Sequence, residues 1–239
     1  MIPDLRRLKI KLFADGADLK AMGEAYRSGL ISGFTTNPTL MRKAGVADYA
    51  AFARQALALI PDLPISFEVF SDEFADMERQ ARLIAAWGPN VNVKIPVTNT
   101  RGEFSGPLLE RLTAEGVSVN VTACASLEQV KAVAPRLAKR TASIVSVFAG
   151  RVADTGRDPI PLMKAAKRVL RSRPACRLLW ASPREVLNIF QAEASGCDII
   201  TLTPDIQKKL GLIGRGLEDV SLDTVKMFDQ DAKAAGFTL

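Results

Sequence analysis

The chain has 239 residues, 48% hydrophobic and 24% charged, with a formal net charge of +6 and no histidine. The length allows one large domain or two small ones, and the composition is ordinary for a globular protein with a substantial core. Without histidine, a serine–histidine triad, a histidine general base and a histidine-ligated metal are excluded, so acid–base chemistry falls to Asp, Glu, Lys, Tyr or water.

Neither a membrane nor a secretory route is indicated by the sequence. No apolar stretch is long enough to span a bilayer, and charges interrupt the N-terminal segment 1–16, which therefore lacks a signal-peptide apolar region. We expect a cytoplasmic location. The three cysteines, Cys124, Cys176 and Cys197, are scattered in apolar segments, and we interpret them as small buried residues rather than disulfides or metal ligands.

The positive charge is compatible with nucleic acid, a membrane surface or an anionic small molecule as partner. Basic residues are spread along the chain, and the main local cluster, from Lys164 to Arg173, has the helical spacing of a solvated helix face. We therefore favour an anionic small molecule and expect no nucleic-acid partner.

Short β-like segments alternate with amphipathic, helix-like segments from one end of the chain to the other. The predicted strands, in chain order, are LKIKLFAD (8–15), GFTTN (33–37), PISFEVF (64–70), VNVKIPV (91–97), SVNVTAC (118–124), SIVSVFA (143–149), CRLLWAS (176–182) and DIITLTP (198–204). Eight such repeats predict one (β/α)8 barrel domain over residues 1–239. A doubly wound open sheet is the alternative, although no glycine-rich dinucleotide motif follows the first strand.

One segment, 221–237, is surplus to the eight repeats and predicts an extra C-terminal helix with Ser221 as its N-cap. Its apolar side chains must pack either on the barrel or on a neighbouring subunit.

The fourth strand carries a lysine, Lys94, in the middle of an apolar run. A buried lysine costs free energy unless it has a partner or a task, and a desolvated amine is released more easily to attack a carbonyl. Because side chains alternate along a strand, Val93 and Ile95 face the helices and Lys94 faces the barrel lumen. The sequence therefore suggests an enzyme that forms a Schiff base.

The same alternation predicts an unusually polar lumen. It places seven polar side chains inward, mostly near the C-terminal ends of the strands, where barrel enzymes position their chemistry: Asp15, Asn37, Glu68, Lys94, Asn120, Thr122 and Ser146. Thr35, Phe70, Cys124 and Phe148 are also predicted to point inward.

Each of these residues also has a purely structural interpretation. Lys94 could be satisfied by a nearby carboxylate, Asp15 could be a turn residue, and Asn37 before Pro38 is a common turn pair. Lys11 shares the inward parity but lies toward the opposite end of the barrel. The convergence of seven polar residues on one lumen end favours the catalytic interpretation.

Anion recognition is suggested by two arginines in the loops after strands six and seven, Arg151 in FAGR (148–151) and Arg184 in ASPR (181–184). Both loops belong to the same barrel face, so the two guanidiniums could meet on one phosphate. The alternative is two surface arginines.

Seven specific motifs lie along nearly the whole chain: GFTTNPTL (33–40), SFEVF (66–70), NVKIPVT (92–98), VNVTACAS (119–126), SVFAGRVAD (146–154), ASPR (181–184) and SLDTVKMFDQDA (221–232). With these motifs the chain resembles the transaldolase family, in particular its short-chain branch that includes fructose-6-phosphate aldolases.

The resemblance implies a role for each matching residue. Lys94 would be the Schiff-base lysine, Asp15 the acid–base group, and Glu68 with Thr122 the pair that positions a catalytic water. Substrate hydroxyls, an aromatic wall and the phosphate would be contacted by Thr35, Asn37, Asn120, Ser146, Phe148, Arg151, Ser182 and Arg184. The resemblance implies no metal and no cofactor, since a protonated imine absorbs the developing charge.

Two residues separate the branches of the family. The aldolase branch typically has Gln in place of Glu68 and Tyr in place of Phe148. We therefore expect transfer of a dihydroxyacetone unit between sugar phosphates, with a fructose-6-phosphate aldolase-type lyase as the alternative. Gly16 stands where the family usually has Thr, so we expect different hydrogen bonding around Asp15. Departures at Val147 and Pro183, which flank the anion site, leave open whether the substrate anion is a phosphate or a sulfonate, as in 6-deoxy-6-sulfofructose.

A non-catalytic protein that holds a polyanion on its basic loops remains the third interpretation. The resemblance and the surplus helix together suggest a homo-oligomer, with a pentamer or a decamer as the expected assembly.

Overall fold

A computed structural model describes residues 5–238, so residues 1–4 and 239 of the predicted domain lie outside the described residues. Eight strands pair in parallel in chain order, and the last pairs with the first: β1 (Lys11–Asp15), β2 (Phe34–Thr35), β3 (Ile65–Glu68), β4 (Val91–Pro96), β5 (Val119–Cys124), β6 (Ser143–Val147), β7 (Cys176–Trp180) and β8 (Ile199–Leu202). The (β/α)8 barrel is confirmed, and the open-sheet alternative is wrong.

Helices follow each strand and form the outer layer. They are α1 (Leu19–Arg27), α2 (Pro38–Lys43), α3 (Tyr49–Leu59), α4 (Phe74–Ala85), α5 (Gly106–Ala114), α6 (Leu127–Val133), α7 (Ala149–Asp154), α8 (Pro159–Leu170), α9 (Leu187–Ala194), α10 (Pro204–Lys208) and α11 (Leu217–Ala235). Several begin at a side-chain cap: Asp18, Asp48 and Ser126 each accept a backbone N–H three residues on. Such caps satisfy donors that a helix start would otherwise leave unpaired.

The principal hydrophobic core lies between the strands and the helices. The outward residues of β4, Val93 and Ile95, are fully buried there, as the alternation predicts. A second, smaller cluster of Phe13, Ile144, Leu179, Ala181 and Ile199 fills the lumen itself. This lumen cluster separates the two mouths of the barrel.

Gly33 is required for the lumen cluster because of one close approach. A Cβ on Gly33 would lie 2.4 Å from the ring of Phe13. Only glycine therefore allows the Phe13 ring to occupy the lumen beside β2.

A bulge reverses the predicted orientation at the end of β5. The register with β6 shifts between Val121 and Cys124, and Ala123 adopts a left-handed φ of 62°. An extra residue shifts every side chain after it to the other face. Cys124, predicted to point into the lumen, accordingly lies in the principal core, and Ala123 is exposed.

Phe70 is a second correction. β3 ends at Glu68, so the alternation does not extend to Phe70, which is 64% exposed. Its ring makes an edge-on contact with Tyr49, with centroids 5.6 Å apart.

The C-terminal helix exists but starts earlier than predicted. α11 begins at Leu217 with Gly216 as its N-cap, so Ser221 lies within the helix and is not the cap. Glu218 and Asp219 in the first turn stabilise this earlier start through the helix dipole. None of the helix residues is buried.

All three cysteines are free and buried, which confirms their interpretation as small core residues. Burial raises the pKa of each thiol to about 12. Within residues 5–238, no helix combines the length and the apolar character needed to cross a membrane.

Candidate active site

A cavity of about 120 Å³ opens at the C-terminal ends of the strands, on the upper side of the lumen cluster. Nine of the twelve predicted site residues line it: Asp15, Thr35, Asn37, Lys94, Thr122, Ser146, Phe148, Arg151 and Ser182. The other three, Glu68, Asn120 and Arg184, do not line the cavity but contact residues that do. The polar lumen face predicted from strand alternation is therefore a single site.

Lys94 is the most deeply placed cation of this site, with 6% of its surface exposed. Its Nζ lies 2.9 Å from Oε2 of Glu68 and donates to the carbonyl oxygen of Thr36 at 3.0 Å. The contact with Glu68 follows from the strand register, which places these two residues opposite each other on β3 and β4. The buried lysine thus has a carboxylate partner and also faces a cavity.

Asp15 lies at the C-terminal end of β1 and accepts a hydrogen bond from the Thr35 hydroxyl at 2.7 Å. Desolvation raises the pKa of Asp15 above its ordinary value; the Lys94 ammonium and the Thr35 bond oppose the rise, and Glu68 adds to it. The Asp15 carboxyl consequently holds its proton to a higher pH than an exposed aspartate does. Such a group is suited to act as a general acid or base toward a ligand in the cavity.

A chain of hydrogen bonds fixes the polar residues of β3, β5 and β6. The Asn120 amide donates to Ser66 Oγ at 3.1 Å and accepts from Ser146 Oγ at 2.7 Å. By contrast, the buried Thr122 Oγ1 has no hydrogen-bond partner among residues 5–238. A buried hydroxyl without a partner calls for a water or a ligand group at this point of the cavity.

Asn37 has a structural role besides its place in the cavity. Its Oδ1 accepts the backbone N–H of Leu40 at 3.0 Å and caps α2. The cap engages the carbonyl oxygen and orients the amide nitrogen, which bonds to no other described residue. The structural role of Asn37 is therefore that of a helix cap and not of a turn residue, and it does not exclude a role in binding.

Only one of the two predicted arginines lines the cavity. The Arg151 guanidinium lies over the Phe148 ring, 5.2 Å from its centroid. Arg184 instead makes a forked ion pair with Asp154, with Nε 2.9 Å from Oδ1, and donates to Ser182 Oγ at 3.2 Å. The ion pair lowers the pKa of Asp154. Convergence of both guanidiniums on one anion stays a prediction, since Asp154 occupies the fork of Arg184.

The loop that carries Ser182 is fixed by backbone contact. Ser182 adopts a left-handed φ of 60°, and a Cβ on Gly150 would lie 1.5 Å from its carbonyl oxygen. Gly150 therefore allows the start of α7 to touch the loop after β7, so that Arg151 and Ser182 line the same wall.

Sequence reasoning missed several residues of the site. Thr201 and Thr203 line the cavity from β8 and its end, and Thr201 Oγ1 lies 2.5 Å from Thr35 Oγ1. The alternation in DIITLTP places these threonines on the inward face with Ile199, so the signal was present. Asp154 also has a signal, because it ends the motif SVFAGRVAD (146–154). Within residues 5–238, no group of three or more Cys, Asp or Glu side chains is arranged to hold a metal ion.

The family model described as Transaldolase/Fructose-6-phosphate aldolase matches residues 12–239. The chain belongs to this family. A relative named "Probable transaldolase" from Dehalococcoides mccartyi is 36% identical over 194 residues, which cover 81% of this chain and 86% of the relative. Another protein of that name, from Cereibacter sphaeroides, is 34% identical over 232 residues, or 96% of this chain and 99% of the relative.

A solved structure adds evidence on the fold of this transaldolase-family chain. A protein from Coccidioides immitis assigned to the dihydrodipicolinate synthase family superposes with a TM-score of 0.55 at 13% identity, covering 84% of this chain and 68% of that one. At this identity the likeness supports the barrel fold alone.

Proposed function

We propose that this family member is a Schiff-base transaldolase. It transfers a dihydroxyacetone unit from a ketose phosphate, such as fructose 6-phosphate or sedoheptulose 7-phosphate, to an aldose phosphate. The observation that carries the proposal is the buried Lys94 amine at the cavity, 2.9 Å from Glu68 and close enough to Asp15 to influence the pKa of that carboxyl.

In the first step the neutral Lys94 amine adds to the ketone carbon of the donor. The resulting carbinolamine loses its hydroxyl as water, which leaves a protonated imine between Nζ and the donor. Glu68 takes up the proton that the ammonium must release, and with the unpartnered Thr122 hydroxyl it holds the water that leaves and later returns. The Thr122 hydroxyl is available for this role because no described residue bonds to it.

Asp15 acts in the second step. Its carboxylate accepts the proton of the hydroxyl on the carbon at the far end of the scissile bond, and that oxygen forms the carbonyl of the departing aldose phosphate. The carbon–carbon bond breaks, and its electron pair moves toward the imine to form an enamine. The protonated imine absorbs the charge, so the step requires neither metal nor cofactor. The raised pKa of Asp15 brings the carboxyl closer to the working pH of a general base, and later of the acid that protonates the product.

The remaining residues bind the substrate. We assign Thr35, Asn37 and Ser146, which line the cavity, to the hydroxyls of the retained three-carbon unit, and Phe148 to an aromatic wall. Asn120, which does not line the cavity, would contact the same unit only through the Ser146 hydroxyl that it holds. Arg151 binds the anionic end of the sugar, with Ser182 beside it. Arg184 can bind the anion only after its guanidinium separates from Asp154. The alternative anion is a sulfonate in place of the phosphate.

Transfer is favoured over simple cleavage by the carboxylate at position 68 and the absence of a phenol at 148. The enamine must survive until the acceptor arrives, which a largely closed lumen promotes by limiting water. Purified protein should transfer the dihydroxyacetone unit from a ketose phosphate to an aldose phosphate. If free dihydroxyacetone is released at a comparable rate without acceptor, the lyase alternative is correct.

Reductive trapping tests the Schiff base. Incubation with fructose 6-phosphate and borohydride should add the mass of a reduced donor fragment to the peptide that contains Lys94. Lys94→Met should remove the adduct, but it leaves the partly buried Glu68 carboxylate without its ion-pair partner, a change that costs up to about 3–5 kcal/mol of stability.

The double variant Lys94→Met, Glu68→Gln is therefore the matched control, since it lacks both the amine and the unpaired charge. An adduct that persists in this folded double variant, or none in the wild type, would rule out Lys94 as the nucleophile and favour a binding protein.

The exposed C-terminal helix supports assembly into a homo-oligomer, with a pentamer or decamer as the proposed state. α11 is a 19-residue helix without a buried residue, and Val225 and Phe228 are 59% and 62% exposed. A face of this kind requires a partner surface. The proposed partners are thus sugar phosphates and copies of this chain, without nucleic acid or membrane.

A further inference from the structure

A second cavity, of about 1140 Å³, opens at the N-terminal end of the barrel, on the opposite side of the lumen cluster from Lys94. Its floor includes Phe13, Ile144 and Ile199, which belong to the lumen cluster. The lumen cluster therefore separates this N-terminal cavity from the catalytic one, and nothing in the proposed reaction uses it.

The charges around the N-terminal cavity are unequal. Five lysine and arginine side chains line it, against three acidic ones. The acids are already engaged: Glu193 accepts the backbone N–H groups of Lys9 and Ile10, Asp62 accepts from Tyr26, and Asp198 pairs with Lys167 at 2.6 Å. Lys167, predicted to be solvated, is thus partly buried and paired.

Among the described residues, three of the five cations have no carboxylate partner. Within residues 5–238, the side chains of Lys9, Lys11 and Arg140 make no hydrogen bond and no ion pair. Lys11 lies on the lumen face of β1, on the N-terminal side of Phe13. Its side chain therefore lines the N-terminal cavity. Cations left unpaired around one concavity attract an anion.

An independent observation comes from a buried amide. Asn92 lies on the lumen face of β4, lines the N-terminal cavity and is only 8% exposed. Its side chain bonds to no residue among 5–238. The amide atoms remain accessible from the N-terminal cavity, and no residue among 5–238 occupies them, so they are free to bond a polar group from solution.

We propose that the N-terminal cavity binds a small phosphorylated molecule. Lys9, Lys11 and Arg140 would hold its phosphate groups, Asn92 would donate to or accept from a polar atom deeper inside, and the apolar floor would contact its organic part. The volume accommodates a ligand of nucleotide size.

Calorimetric titration of the full-length protein tests the site, with inorganic pyrophosphate, ATP and adenosine as probes. We expect saturable binding of pyrophosphate that weakens as salt is added, tighter binding of ATP if the floor contacts the organic part, and no binding of adenosine. Equal affinity for pyrophosphate and ATP would contradict the proposed contact between the apolar floor and the organic part of the ligand.

Variants separate this site from the catalytic one. Lys11→Gln and Arg140→Gln should each weaken pyrophosphate binding about tenfold, the loss of one charged hydrogen bond, and leave sugar transfer without pyrophosphate unchanged. Lys164→Gln, a charge-matched change at an exposed position outside the cavity, should have no effect. Asn92→Leu should weaken ATP binding while the urea midpoint of unfolding stays equal or rises, because the amide has no partner to lose.

Two results would overturn the proposal. One is the absence of heat with millimolar pyrophosphate. The other is an isotherm that Arg151→Gln weakens and Lys11→Gln does not, which would place the anion in the catalytic cavity. Either result leaves the borohydride test at Lys94 unaffected, so the two proposals fail separately.

Discussion

Two carboxylates flank the lysine at the mouth of the barrel, and their surroundings differ. Glu68 is fixed by its ion pair with Lys94, whereas Asp15 contacts the Thr35 hydroxyl and loses more solvation than the nearby cation restores. The different contacts of the two carboxylates give them different tasks in one site. Glu68 is placed to exchange a proton with the Lys94 amine, and Asp15 with a group in the cavity.

Asp15 should reduce the stability of the folded protein at neutral pH. Because burial raises its pKa above 3.8, the native state holds this proton over a pH range in which the unfolded chain has released it. The contribution of Asp15 to the free energy of unfolding therefore falls as the pH rises from the unfolded value through the raised folded value.

Asp15→Asn should remove this pH dependence and lower the transfer rate by about 10²–10⁴-fold, the usual range for a lost acid–base group. Urea unfolding between pH 4 and pH 7 should show a flatter profile than the wild type. Asp205→Asn, at an exposed carboxylate, is the control and should retain both the wild-type profile and the rate. An unchanged rate in Asp15→Asn would contradict the assigned role.

At the scale of elements, the wall of the anion site depends on contact between α7 and the loop after β7. Gly150 touches the carbonyl of Ser182, and Arg184 from the same loop pairs with Asp154 at the end of α7. Backbone contact and ion pair together hold the two βα units at a fixed separation. The position of Arg151 over Phe148 follows from that separation.

Gly150→Ala should force the two units apart. The added Cβ would meet a backbone oxygen, which cannot move like a flexible side chain, so we expect a loss of at least about 2 kcal/mol in the free energy of unfolding. KM for the sugar phosphate should rise as well. Gly211→Ala is the matched control, because a Cβ there meets nothing within 4 Å. Similar stabilities for both variants would show that the contact can relax.

At the scale of the whole molecule, the barrel is complete without α11. The helix carries its apolar residues on the surface, including Leu217 at 85% and Phe228 at 62% exposure. A charge introduced at the centre of this apolar stripe should disrupt association while the barrel stays folded.

Phe228→Glu is therefore expected to shift the mass measured by light scattering toward the monomer, with little change in the circular dichroism of the barrel. Gln230→Glu adds the same charge on the opposite face of the helix and should leave the mass unchanged. A wild-type protein that is already monomeric would contradict the proposed assembly.

The order of the elements and the facing of most lumen residues were predictable from the sequence. Both depend on the two-residue period of a strand, which is a local property of the backbone. The positions of Lys94, Asn120 and Ser146 follow from that period alone. The C-terminal helix was also predictable, although the favourable charges of Glu218 and Asp219 moved its start.

Only the tertiary structure decided the remaining features, because they depend on contacts between segments distant in the chain. The bulge at Ala123 turned Cys124 into the core, and the early end of β3 left Phe70 outside. The partner of Arg184 proved to be Asp154, thirty residues away. The alternation of side chains along one strand does not indicate which carboxylate will pair with a distant arginine or where a neighbouring strand ends. Both depend on the packing of the whole barrel.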